Sequence, residues 1–346
     1  MDRLLQLPFI YRGVPPPRDI TRARVHPSID TIAAGAFAGC ENLTDVEVHE
    51  GVRKIELNAF NGCKSLTGLN FQRITIIETQ AFAFCTSIRR IKLPAIITIG
   101  QFAFTRCRNL IDVEIGRSLA TIEQGAFIGC TSLRRLRLGS ATNIKQYAFR
   151  DCEYLTEFIA PPELERIEHL AFGGCNRLVH ICIPLNDGLF DPSHNAFDRC
   201  QRLASAELVG DIHDTVSKLG LPSWQNAMND KIDSINRHLP HRIPAGKTMA
   251  LFVWLQTVQI GIDHYKLEHN NLLKESMSLL ELALWKIKLH EMGQSMLEVP
   301  TTKKAKIDIQ GGRKQKKTMR AQCRLDCNAT VVIENVLPFL YKFKDV

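Results

Sequence analysis

Ile122-Glu123-Gln124-Gly125-Ala126-Phe127-Ile128-Gly129-Cys130-Thr131-Ser132-Leu133 is one of eight copies of a single unit. The copies align on an aromatic ring and a thiol. Phe37, Phe60, Phe82, Phe104, Phe127, Phe149, Phe172 and Phe197 each follow an alanine. A cysteine stands three residues after each: Cys40, Cys63, Cys85, Cys107, Cys130, Cys152, Cys175 and Cys200. Successive units are 22 to 25 residues apart. A period of this size marks stacked supersecondary units, none of which can bury its own apolar face alone.

Other positions keep the same phase. Five residues before the aromatic stands Ile32, Ile55, Ile77, Ile99, Ile122, Ile144 or Ile167, with Pro192 in the eighth copy. Leu or Ile stands three residues after all eight cysteines; after Cys130, Leu133 is followed by Leu136 and Leu138. The last two have period two, so that stretch is a short strand with one buried face. Residues 20–25 match the strand part alone and read as an N-terminal half repeat. The eighth copy departs from the pattern at Pro192 and Ala206, and Asn186-Asp187-Gly188 lengthens the turn before it. The array is expected to fray or end there.

The pattern Ile-x-x-x-Ala-Phe-x-x-Cys-x-x-Leu resembles the BspA-type leucine-rich repeat family over about residues 20–212. The resemblance implies an α/β solenoid: a right-handed leucine-rich repeat coil with short parallel strands. It also implies binding of other macromolecules, with no catalytic residues in the repeat. Bacterial members are often surface adhesins. Here Met1–Gly13 is too short and too interrupted for a signal peptide, and no apolar run reaches the ~18 residues of a membrane span. Eight of the 11 cysteines share one phase of the repeat, so they read as core thiols of a reducing compartment. A cytoplasmic protein follows from these readings, with the nucleus as the second location.

The remaining segments are read by composition. Residues 1–19 form an irregular leader containing Pro15-Pro16-Pro17. Beyond the array, residues 213–299 form a small α-helical region or cap. Trp224, Met228, Ile232, Ile235 and Leu239 mark one helix ended by Pro240; Thr248–His269 and Asn271–Met292 mark a second and a third. Residues 300–320 read as a basic flexible linker and 321–346 as a short C-terminal helix.

The charge is not spread evenly. The chain has 44 Lys and Arg against 36 Asp and Glu. Residues 301–324 contain nine basic residues and one acid, which equals the whole excess of eight. Within it, Lys303, Lys304 and Lys306, then Arg313, Lys314, Lys316 and Lys317, form two clusters around a spacer. That arrangement suits a solvated linker, a bipartite nuclear-import signal, or phosphate binding without base stacking, since no aromatic residue interleaves it.

Candidate binding residues lie five and seven positions after each cysteine, where the strand faces solvent. In three successive repeats these are Arg90 and Lys92, Asp112 and Glu114, and Arg135 and Arg137. Strands ~4.8 Å apart bring these charges opposite each other. They form either an internal ion-pair ladder or a patterned patch that selects a protein partner by complementarity. The neighbouring face carries Ile159, His180 and Cys182, which read as ordinary variation or a small apolar contact. Cys323 and Cys327 read as packed or free thiols. No CxxC pair exists and the thiol ladder has no histidine at ligand spacing, so neither metal nor cofactor is expected. No nucleophile elbow, phosphate loop or GxGxxG occurs, and the chain does not read as an enzyme. The expected function is a protein-interaction scaffold; the alternative is a nuclear or nucleic-acid-associated factor using residues 303–320.

Overall fold

Two left-handed residues flank the Ala-Phe pair in every repeat and bend the chain back into the coil. One lies two positions before the Phe (Gly35, Asn58, Gln80, Phe102, Gly125, Tyr147, Leu170, Asn195). The other lies two positions after it (Gly39, Gly62, Phe84, Arg106, Gly129, Asp151, Gly174, Arg199). Glycine takes this conformation without steric cost, whereas a Cβ costs roughly 1 kcal/mol. Eight of the ten non-glycine residues in these sets hold it with their N–H bonded to a carbonyl of the next repeat. Tyr147 N, for example, donates to His169 O of the next repeat at 3.0 Å.

The computed structural model describes residues 8–297 except positions 69, 187, 211 and 220. Its longer strands are β1 (Phe9–Tyr11), β2 (Arg22–Val25), β4 (Asp45–Glu47), β7 (Arg90–Leu93), β9 (Asp112–Ile115), β11 (Arg135–Arg137), β13 (Glu157–Ile159), β15 (His180–Pro184) and β16 (Ser205–Val209). Two-residue strands alternate with them: β3 (Thr31–Ile32), β5 (Lys54–Ile55), β6 (Ile76–Ile77), β8 (Thr98–Ile99), β10 (Thr121–Ile122), β12 (Asn143–Ile144) and β14 (Arg166–Ile167). All pairings are parallel. The longer row runs β1-β2-β4, β7-β9-β11 and β13-β15-β16; the narrow row runs β3-β5-β6-β8 and β10-β12-β14. Between β4 and β7 the strand positions hold Gly68 and Asn70, poor strand formers, and the described residues form no strand there.

The core is a column of like residues. Successive rings from Phe37 to Phe197 stack 5.0–5.5 Å apart. The seven ladder isoleucines are at most 1% exposed. Each repeat cysteine from Cys63 to Cys200 in the column donates its S–H to the Phe carbonyl of the preceding repeat, as Cys130 does to Phe104 at 3.2 Å. The parallel-strand solenoid of about eight turns, followed by a helical region, is thus the expected fold.

Three local expectations are corrected. The leader is not irregular throughout: β1 pairs with β2, and Tyr11 places its ring 5.0 Å from Phe37, closing the aromatic column. The eighth copy does not fray. Its longer turn lets Phe190, not Pro192, bridge to Ile167, and β15 and β16 pair over five residues. The two helices expected after Thr248 are one, α3 (Lys247–Leu297). Asn270 and Asn271 weaken a helix by well under ~1 kcal/mol each, and neither a proline nor a glycine stands there to stop it. The shorter α1 (Ile212–Ser217) and α2 (Pro222–His238) precede it, the latter ending before Pro240 as expected.

The chain divides into two compact units, Met1–Leu267 and Glu268–Val346. Within the first, α2 and the start of α3 seal the last turn. In every earlier repeat the Phe N–H donates to the next repeat's alanine; Phe197 has no such neighbour, and Thr248 Oγ1 accepts from it at 3.1 Å. Asn236 Oδ1 accepts from Ala206 N at 2.9 Å. Lys247, 1% exposed, donates to the carbonyls of Cys200, Gln201 and Leu203 at 3.1, 2.9 and 2.6 Å. Desolvation holds its pKa below the ordinary lysine value. Leu251, Trp254, Leu255, Val258 and Ile262 form the buried stripe of α3, and Trp254 Nε1 donates to Ile232 O at 3.0 Å. In the second unit, the described part of α3 exposes Leu272, Leu273, Met277 and Leu282. No described helix is long and apolar enough to cross a membrane. The basic clusters from Lys303 to Lys317, the segment 321–346, and Cys323 and Cys327 lie outside the described residues.

Candidate binding face

Alternation along each longer strand turns one side chain inward and the next outward. On β7, Ile91 and Leu93 are buried while Arg90 and Lys92 face solvent. The same alternation on β9 and β11 presents Asp112 and Glu114, then Arg135 and Arg137. The register sets Asp112 between Arg90 and Arg135, and Glu114 between Lys92 and Arg137. All six residues singled out from the sequence therefore lie on one continuous patch.

Glu114 is shared: Lys92 Nζ lies 3.2 Å and Arg137 Nη1 3.9 Å from its Oε2. Arg135 Nη2 reaches Asp112 Oδ2 at 3.1 Å. The pairs differ in depth. Lys92, Arg135 and Arg137 side chains are 65%, 60% and 70% exposed; Asp112 and Glu114 are 24% and 43%. Exposed pairs of this kind stabilise a fold by about 0–1 kcal/mol. Their larger effect is on the surface, where the cations stand proud and the carboxylates are drawn down between them.

The motif extends past the residues first singled out. Arg22 and Arg24 on β2 oppose Asp45 and Glu47 on β4. Arg22 approaches both acids at 3.9 and 3.5 Å, and Arg24 hydrogen-bonds Glu47. That hydrogen bond to the guanidinium is the main reason the Glu47 carboxyl sits below its ordinary pKa. The half repeat hid this pair, because it has no cysteine from which to count. A shallow cleft lined by Asp45, Glu47, Thr67, Gly68 and Asn70 separates the two charged patches.

At the other end of the row the alternation stops. Glu157 on β13, His180 on β15 and Ser205 on β16 share one register line; Ile159, Cys182 and Glu207 share the next. His180 Nδ1 lies 2.8 Å from Ser205 Oγ. Its Nε2 lies 3.1 Å from Cys182 Sγ and 4.0 Å from Glu207 Oε2. The donor atoms of His180, Cys182 and Glu207 all fall within 4.8 Å of one another. Burial, followed by the nearby Glu207 and Glu157, pushes the Cys182 thiol pKa up. Sequence reasoning noted His180 and Cys182 but missed the cluster, because Glu207 joins them only through the strand register, 25 residues on.

The repeat matches a known family profile. A profile of the BspA type leucine rich repeat region matches residues 18–134 and 138–219, in six copies. Among solved structures, a leucine rich cell surface protein from Faecalibacterium prausnitzii is 21% identical, with a TM-score of 0.32, over 55% of this chain and 61% of that one. This chain thus spans less than two thirds of that protein's length. The T. pallidum leucine rich repeat protein is 24% identical with a TM-score of 0.34, over 58% of this chain and 83% of that one. A leucine-rich repeat protein from Bacteroides ovatus is 19% identical with a TM-score of 0.34, over 60% and 70%. No curated protein matches the sequence. Arrays of this type serve in general as protein-interaction scaffolds and are typically non-enzymatic. With its repeats matched over more than half of its length, the chain belongs to the BspA type leucine rich repeat family.

Proposed function

We propose that this protein is an intracellular, non-catalytic scaffold that captures an acidic surface of a partner protein on its solvent-facing strand row. One observation carries the reading: Lys92, Arg135 and Arg137 are 60–70% exposed while the acids between them are at most 43% exposed. A carboxylate-bearing partner meets the cations first, and the recessed Asp112 and Glu114 fix its register by repelling a misaligned approach. The intracellular part of the proposal is supported by the nine described cysteines, all free thiols and eight of them buried.

Reversing Arg90, Lys92, Arg135 and Arg137 to glutamate should abolish partner capture in a chain that still folds, although the new carboxylates opposite Asp112 and Glu114 lower its unfolding temperature. Like-charge juxtaposition costs several kcal/mol, so affinity should fall at least about a hundredfold. A quadruple variant that folds and still captures its partner from lysate at wild-type level would overturn this face as the interface.

A second reading rests on a separate observation: residues 301–324 carry the entire net charge of the chain. In that reading Lys303, Lys304, Lys306, Arg313, Lys314, Lys316 and Lys317 direct nuclear import or bind polyanion phosphates. Deleting residues 301–320 should then shift a tagged chain out of the nucleus or flatten the salt dependence of polyanion binding. If both are unchanged, the basic segment is only a linker.

A further inference from the structure

The geometry points to a divalent-metal site of zinc type on the C-terminal part of the strand row, with His180 Nε2, Cys182 Sγ and the Glu207 carboxylate as its three protein ligands. It does not depend on partner capture by the charged patch.

The donor set is the first argument. Imidazole, thiolate and carboxylate are the three ligand types zinc takes, and the sulfur disfavours magnesium and calcium. Distance is the second. Zinc bonds of about 2.0–2.3 Å in a tetrahedron place ligand atoms about 3.3–3.7 Å apart. Here Nε2 is 3.1 Å from Sγ and 4.0 Å from Oε2, and no two donor atoms are farther apart than 4.8 Å. Small χ rotations close the difference, most of them at Glu207, whose side chain is 67% exposed and free to swing.

Orientation is the third argument. Ser205 Oγ, 2.8 Å from His180 Nδ1, can accept a hydrogen bond from Nδ1–H and leave the Nε2 lone pair turned toward Cys182 and Glu207. Ligating histidines are commonly held this way by a hydrogen bond on the other ring nitrogen. On binding, the metal takes the place of the Sγ–Nε2 contact, and the thiol proton leaves to solvent. The ligands stand on adjacent strands paired over five residues, so their backbone spacing is fixed by the ladder. The fourth position opens to solvent beside Ile159, itself 53% exposed, and a water completes the tetrahedron.

The cluster also stands apart from its row. At the equivalent positions β4, β7, β9 and β11 carry only charged residues, whereas β15 carries His180 and Cys182. Cys182 is the one described cysteine outside the thiol column.

The test is metal binding by the reduced full chain, with zinc alone in equilibrium dialysis and cobalt(II) as a spectroscopic probe. One equivalent should bind, with a thiolate-to-cobalt charge-transfer band and the strong visible bands of a tetrahedral ion. Cys182→Ser should remove the charge-transfer band. His180→Ala and Glu207→Gln should each weaken zinc at least about tenfold, and Ser205→Ala by about tenfold. Cys323→Ser with Cys327→Ser should leave the site intact. Thermal unfolding without metal confirms that each variant folds; Glu207→Gln, at an exposed side chain, keeps the test valid if another fails. Absence of stoichiometric binding, or a charge-transfer band that survives Cys182→Ser, overturns the proposal.

Discussion

Above about pH 9 the array is expected to unfold over a narrow pH interval, releasing several protons at once. The cause is the thiol column. Burial pushes Cys63 and Cys107 up to about 12. It also raises Cys85, Cys130, Cys152 and Cys175 far above the ordinary thiol value of 9.0. In the unfolded chain these thiols ionise near 9.0, while in the folded array they keep their protons. The folded state then binds more protons than the unfolded one, so stability is full below 9.0 and falls as pH rises toward the folded values. Each thiol contributes a slope of about 1.4 kcal/mol per pH unit, and the six together about 8 kcal/mol per pH unit. A fold stable by roughly 5–15 kcal/mol does not survive two such units. The measurement is circular dichroism against pH under reducing conditions, with the slope of stability giving the proton count. Cys107→Ala should lower that count by one. A shallow transition that releases only one or two protons would show that the thiolates are accommodated in the folded coil.

Phe127→Ala is expected to cost about 3–5 kcal/mol. Phe127 is fully buried between Phe104 and Phe149, with centroids 5.2 and 5.5 Å away. Its removal opens a cavity that neither neighbour can fill, because each is held by its own repeat. In a stacked array the loss is felt first at the two adjoining interfaces. Hydrogen exchange should therefore speed up around Ala103–Leu155 before it does near either end, and urea unfolding should broaden. Phe84 supplies the contrast. It is the same residue type only two positions after Phe82, but it is 39% exposed and outside the column. Phe84→Ala should change stability by no more than about 0.5 kcal/mol. Equal costs for the two substitutions would contradict the column as the core.

The repeat was legible because identical chemistry recurs at one phase. Ile, Phe, Cys and Leu say nothing singly, but eight copies in register leave one way to bury them. The charged patch was legible for the same reason: Arg90 and Asp112 are 22 residues apart in sequence, one turn of the coil, and they become neighbours by register. What escaped is whatever departs from the period. Tyr11 completes the aromatic column from a segment that carries no repeat. Phe190 takes the ladder position because two extra residues moved the frame, so counting back from Phe197 reached Pro192 instead. Lys247, Thr248 and Asn236 close the last turn from helices whose sequence shows only which face is apolar, not what its polar residues meet. His180, Cys182 and Glu207 were visible singly but have no fixed motif spacing.

The sealing of the last turn has a consequence for assembly. A coil of parallel strands has two unlike ends, and the far edge of β16 has the same pitch and direction as the edge that β2 offers to β1. Left open, such ends join head to tail, and a heterologous contact of that kind does not close on itself. Asn236 on Ala206, Thr248 on Phe197 and Lys247 on three carbonyls occupy five of the backbone groups at that end that a second molecule would otherwise meet. The helices α2 and α3 thus act as a terminator of polymerisation, keeping a repeat built for unlimited stacking from becoming a filament.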